Sequence, residues 1–105
     1  MTEAQPAPRL DQLHHVAVAV SNVKETVDWY LHHFDCQVSY QDETWALVKF
    51  ANVSLAFVVP DQHPPHIAVL GDPNSYGKPD KHRDGTRSVY VKDPAGNNVE
   101  ILALG

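Results

Sequence analysis

Between residues 13 and 104 only one stretch has helical spacing, and every other patterned stretch alternates with period two. Val23, Val27, Tyr30, Leu31 and Phe34 recur at the spacing of one helix face. Asn22 stands before them as a cap, and Glu25 follows three residues later as in a capping box. The spacing predicts a helix over about 23–33, with Asp35 in its exit turn. Ahead of it, residues 13–20 put Val16, Val18 and Val20 on one face and His15, Ala17 and Ala19 on the other, which predicts a strand. Behind it come strands near 37–41, 45–50 and 53–59, with turns at Asp42-Glu43-Thr44 and Ala51-Asn52 and a stop at Pro60. This is a β-α-β-β-β unit.

The second half repeats the unit in trimmed form. After a breaker segment at 61–65, residues 66–70 form a short strand in which His66, Ala68 and Leu70 share a face, echoing His15 and Ala17. Residues 71–86 carry three glycines, two prolines and no apolar periodicity, so they read as a long loop. A strand over 86–91, a turn at Asp93-Pro94-Ala95-Gly96-Asn97 and a last strand over 98–104 complete the pattern. The fold class is α+β, with one domain over 10–105 made of a module at about 12–60 and a trimmed one at about 66–104. Residues 1–9, with two prolines, read as a disordered tail.

A formal net charge of -5 argues against a nucleic-acid partner, which a basic face would normally meet. No apolar run approaches the roughly 18–20 residues that span a membrane. The first nine residues lack the apolar core and basic leader of a signal peptide. With one cysteine there is no internal disulfide, and the cytoplasm is the expected location. No phosphate loop, dinucleotide fingerprint or nucleophile elbow is present.

Glu100 is the most informative residue. It lies between Val99 and Ile101, and its face also carries Leu102 and Leu104. A carboxylate there is either at an exposed face or buried and then paired or metal-bound. His15 and His66 each open a strand and, with Glu100, supply two imidazoles and a carboxylate. Such a set suits a divalent first-row metal with positions left open. The three are far apart in sequence, so no local spacing motif brings them together. Strand alternation sends His14 to the face of Val16 and Val18, against the helix. His32 and His33 fall at the helix end, where imidazolium interacts well with the dipole. His63 and His82 lie in loops, and His82 could reach a pocket if 71–86 folds over it. Trp29 and Trp45 read as packing residues, whereas Tyr40 and Tyr90 can line a pocket and hydrogen-bond a bound oxygen. Arg83 and Arg87 are either anion clamps or a solvated loop edge. Cys36 has no activating partner and reads as a buried thiol.

Three segments resemble the vicinal-oxygen-chelate superfamily, which includes glyoxalase I, extradiol dioxygenases, fosfomycin-resistance thiol transferases and bleomycin-resistance proteins. They are residues 13–23 with Trp29-Tyr30, then His66-Ile67-Ala68-Val69, then residues 89–101 from Val89-Tyr90 to Glu100-Ile101. The resemblance implies paired βαβββ modules forming a cupped mixed sheet, here without the second helix. It implies His15, His66 and Glu100 as ligands of a divalent ion (Fe2+, Mn2+ or Zn2+) and a small-molecule substrate with vicinal oxygens. It also implies a homodimer in which His15 meets His66 and Glu100 of the other copy. Glyoxalase I-like members carry a fourth ligand late in the first module, and the matching strand, residues 53–58, offers none. A dioxygenase-like reaction, with Tyr90 donating to the bound oxygen, is therefore the expectation. A thiol transferase or a non-catalytic binder of small molecules is the alternative.

Overall fold

The computed structural model describes residues 10–82 and 85–104, so the expected tail over 1–9 lies outside the described residues. The chain folds as β1 (Leu13–Ala19), α1 (Val23–His33), β2 (Gln37–Gln41), β3 (Trp45–Lys49), β4 (Ser54–Val58), β5 (His66–Leu70), a 3-10 turn (Pro73–Ser75), β6 (Asp80–Lys81), β7 (Arg87–Lys92) and β8 (Asn98–Ala103). The helix starts where its cap says. Asn22 Oδ1 accepts from the Glu25 amide at 2.9 Å, which satisfies one of the otherwise unpaired donors of the first turn. At the other end His33 Nδ1 lies 2.8 Å from the Trp29 carbonyl, so an imidazole closes the last turn.

All eight strands join in one mixed sheet, in the order β2-β3-β4-β1-β5-β8-β7-β6. Its two halves repeat one plan. β1 runs parallel to β4 and β5 parallel to β8, while β1 and β5 meet antiparallel at the centre. Within 71–86 the described residues do more than form a plain loop. Asp80 and Lys81 pair with Ser88 and Arg87, which gives the second module its fourth strand. No alternation announces a strand of two residues, so it was invisible in the pattern.

α1 packs on β2, β3 and β4 alone. Val23 and Val27 of α1 bury against Ala46, Val48 and Phe57, and Tyr30 tilts over the Phe57 ring with centroids 4.6 Å apart. The expectation that Val16 and Val18 also meet the helix fails: Val18 is 37% exposed. β1 lies at the seam, beyond the reach of α1, and among the described residues no second α-helix covers it. The 3-10 turn takes part of that role, with Pro73 fully buried over β7 and β8. Among the described residues no helix is long and apolar enough to cross a membrane.

The opposite face of the sheet curls around a cavity. Residues of β1, β3, β4, β5, β7 and β8 all line it, which a flat sheet of this width would not allow. Removing the Phe57 ring should cost about 3–5 kcal/mol of stability. Asn22→Ala should cost about 1 kcal/mol. Urea unfolding of the two variants tests this order. Similar losses would mean that α1 does not form its core on Phe57.

Candidate metal centre

β1, β5 and β8 are neighbours at the centre of the sheet, and each sends one polar side chain to the cavity floor. His15 Nε2 lies 2.9 Å from His66 Nε2 and 3.5 Å from Glu100 Oε1. His66 Nε2 lies 3.2 Å from the same oxygen. Atoms that share one ion at about 2.0–2.2 Å are spaced in this way. The chemistry of the set also fits: two neutral nitrogen donors and one carboxylate suit a divalent first-row cation. One chain brings all three together. The sheet register explains this. β5 pairs with β1 on one edge and β8 on the other, which sets Ala68 beside His15 and Glu100 beside Ala68.

The surroundings orient these groups. His66 Nδ1 lies 2.9 Å from the Pro64 carbonyl, which can only accept, so Nδ1 carries a proton, and Nε2 has a lone pair free for an ion once the second ring proton, shared with Glu100, is lost. His15 Nδ1 lies 2.7 Å from His14 Nδ1. With the proton on His15 Nδ1, donated to His14, His15 Nε2 is likewise a free donor atom. His14 thus lines the cavity rather than the helix face. This orientation has a local cause. The β1–β5 register shifts between Leu13 and His15, and such an irregularity breaks strict alternation, so adjacent histidines turn to one side.

Glu100 is 6% exposed. Burial pushes its carboxyl up, but hydrogen bonds from His66 and Ser88 and the charges of the two imidazoles outweigh this, and its pKa is lowered. Burial holds His15 down at about 4, helped by His66 and His14 and opposed by Glu100. Burial also pulls His66 down, but its hydrogen bonds to Glu100 and Pro64 win, and its pKa is raised. Tyr90 lies beside Glu100 across the β7–β8 pair. Burial and the Glu100 charge push the phenol up to about 12, so it stays a donor.

The cavity measures about 410 Å³. Trp45, Leu47, Val58 and Leu102 give it apolar walls, and His14, His63 and His82 bring imidazoles to them. Trp45, expected as a packing residue, is therefore a wall residue, and Tyr40 stacks behind it with centroids 4.4 Å apart. Ala56 marks the place of a fourth ligand. It pairs with Ala17, two residues after His15, as Glu100 pairs with Ala68, two residues after His66. The first module has a methyl where the second has a carboxylate. Arg87 is not among the cavity-lining residues and, by strand alternation, takes the outer face with Val89. Arg83 lies outside the described residues. Cys36 packs half-buried beside the helix core. The reading of single residues missed Ser88, which is buried next to Glu100, although period two places it on the face of Tyr90.

In the metal-free protein the two imidazoles should titrate apart. His66 takes its proton above 6.5, whereas His15 stays neutral down to about 4. The unfolded chain protonates His15 first, so this residue lowers stability as pH falls from 6.5 towards 4. His66 acts in the opposite sense, stabilising below the unfolded value and losing that contribution as pH rises through its folded pKa. NMR titration of the ring carbons tests the order. Coincident midpoints near 6.5 would contradict the packing described.

Residues 12–84 match the Glyoxalase/Bleomycin resistance protein/Dioxygenase superfamily. Comparison with curated proteins gave no significant sequence match. Among solved structures, a hypothetical protein from Bacillus halodurans C-125 is similar at TM-score 0.71 and 11% identity, over 92% of this chain and 96% of that one. A variant of Streptomyces coelicolor methylmalonyl-CoA epimerase in complex with 2-nitronate-propionyl-CoA gives 0.72 and 16%, over 92% and 99%. Methylmalonyl-CoA epimerase from Mycobacterium tuberculosis gives 0.70 and 16%, over 96% and 93%. At these identities the likeness is one of fold, and it agrees with the duplicated sheet described above. The sequence match spans more than half of the chain: this protein belongs to the Glyoxalase/Bleomycin resistance protein/Dioxygenase superfamily.

Proposed function

We propose that this chain is a metal-dependent enzyme that binds a small molecule through two adjacent oxygens, with His15, His66 and Glu100 holding the ion. The observation that carries this reading is the meeting of three donor atoms, 2.9–3.5 Å apart, on the floor of an apolar cavity. When bound, Fe2+, Mn2+ or Zn2+ would act as a Lewis acid towards the substrate oxygens. The rest falls to the chain. Trp45, Leu47, Val58 and Leu102 exclude water from the bound molecule. Ala56 leaves space where a further protein ligand would stand. Tyr90, kept as a phenol, donates a hydrogen bond to an oxygen that gains negative charge.

Two histidines and one carboxylate with open positions favour dioxygenase-like cleavage with ferrous iron. A second reading is proton transfer at a carbon beside a carbonyl, as the name of the epimerases with this fold suggests. The imidazoles of His63 and His82 on the cavity wall favour it as proton carriers.

Three results would test this. One divalent ion should bind per chain, and alanine at His15, His66 or Glu100 should raise its Kd by more than the about 10–100-fold typical of outer-shell losses. Affinity should fall as pH drops through the raised His66 pKa, because the proton and the ion compete for Nε2. Tyr90→Phe should lower kcat about 100-fold. Oxygen uptake by the ferrous protein over a panel of catechols supports cleavage, whereas deuterium uptake from solvent without oxygen consumption supports proton transfer. Ligand binding unaffected by chelation and by His66→Ala would rule out both and assign a non-catalytic binder.

A further inference from the structure

The turn that joins β2 to β3 is built around one carboxylate. Asp42 Oδ1 accepts from the Thr44 amide at 2.8 Å, the Trp45 amide at 2.9 Å and the Thr44 hydroxyl at 2.9 Å. Its Oδ2 accepts from the Tyr40 phenol. Tyr40 first, and then the two amides, hold the Asp42 carboxyl well below the usual carboxylate range. An ionised carboxylate only accepts, so the single hydroxyl proton of Thr44 goes to Asp42. Thr44 Oγ1 also lies 3.2 Å from His63 Nε2. With its own proton committed, that oxygen accepts, and the imidazole proton sits on Nε2. Neutral His63 therefore keeps its lone pair on Nδ1.

The backbone holds the two ends of this relay together. The Val59 amide donates to the Thr44 carbonyl at 3.0 Å, and the Val59 carbonyl accepts from the His63 amide at 3.0 Å. His63 lines the cavity beside Trp45, with ring centroids 6.3 Å apart. Among the described residues no hydrogen bond engages its Nδ1. Pro64 and Pro65, with φ fixed by their rings, join His63 to His66. A free imidazole nitrogen and a candidate metal ligand thus lie at the two ends of one stiff link.

We propose that His63 is the proton acceptor of the cavity, taking a proton at Nδ1 from a carbon beside a carbonyl, and that Thr44 and Asp42 are positioning residues that fix its tautomer. The inference deepens the proton-transfer reading above and rests on it. The substrate class is an α-hydroxy ketone or a related compound with two adjacent oxygens and an acidic C–H bond. That bond breaks, its electron pair forms the C=C bond of an enolate, the carbonyl oxygen takes the negative charge, and the proton goes to Nδ1. His63 becomes an imidazolium whose Nε2–H still donates to Thr44, and Thr44 still donates to Asp42. The new positive charge thus faces a carboxylate through one hydroxyl. Return of a proton from Nδ1 to carbon completes the cycle, and no oxidant or reductant is consumed.

The test has two readouts on the intact chain. Nitrogen-15 NMR in alkaline buffer reads the tautomer of His63 without any metal or substrate. The wild type should carry the proton on Nε2 alone, Thr44→Val should populate both tautomers, and Thr44→Ser should restore the single one. Proton NMR in D2O then follows deuterium uptake by 2-hydroxyacetophenone and hydroxyacetone with the Zn2+-loaded chain. His63→Gln keeps a donor for Thr44 but has no basic nitrogen, so kcat should fall about 100–10,000-fold with KM little changed. Thr44→Val should lower kcat about tenfold, and Thr44→Ser should recover it. A proton on Nδ1 in the wild type, or uptake undiminished in His63→Gln, would overturn the role of His63 and leave the proton-transfer reading standing. A wild-type chain that exchanges neither ketone would remove that reading and the base with it, whatever the tautomer.

Discussion

A carboxylate on the inner face of the sheet is the constraint around which the second module is arranged. An ionised Glu100 taken out of water costs several kcal/mol unless its oxygens are matched by donors or charge. The fold meets that cost with the imidazoles of two other strands, His15 from β1 and His66 from β5, and places Tyr90 of β7 beside the carboxylate. None of these is a sequence neighbour of Glu100. The same arrangement that satisfies the carboxylate while His66 is protonated aims three lone-pair atoms at one point once that proton leaves, and this is why the stability and the chemistry of the site are hard to separate. Any reshaping of the β5–β8 pair would disturb both.

The duplicated plan of the sheet determines where the asymmetry lies. His15 and His66 correspond, and so do Ala56 and Glu100. One module contributes a single donor atom and the other contributes two. The side of the cavity with no donor is lined by Ala56, Val58, Leu47 and Trp45. A bound molecule would therefore meet the three donor atoms on one side and mainly apolar surface, with His63 beside Trp45, on the other. The modules also differ on the outer face, where α1 covers β2, β3 and β4 while a short turn anchored by Pro73 covers β7 and β8. The seam between them, with Val18 and Ile67, is left partly exposed.

Much of this was legible in the sequence. The helix over 23–33 has a cap, a periodic apolar face and a clear stop, and it forms with those bounds. The strands over 37–41 and 66–70 also form with the expected bounds, because turn residues flank each. β6 escaped notice because two residues carry no period. His14 escaped because alternation assumes a regular register, and the register breaks beside it. Glu100 was conspicuous because a charge between Val99 and Ile101 conflicts with its surroundings. Ser88 was not, because serine is as ordinary on a surface as in a core.

By itself, the sequence determined the local elements, the repeated strand openings at His15 and His66, and an awkward glutamate near the end. These depend on periodicity and propensity within a few residues, and they need no knowledge of distant contacts. Only the tertiary structure decided that the three residues meet, that they do so within one chain, and that His14 stands behind His15. Those outcomes depend on which strands pair and in what register. Strand pairing is set by the packing of the whole sheet, and a shift of one residue would turn every one of these side chains to the other face.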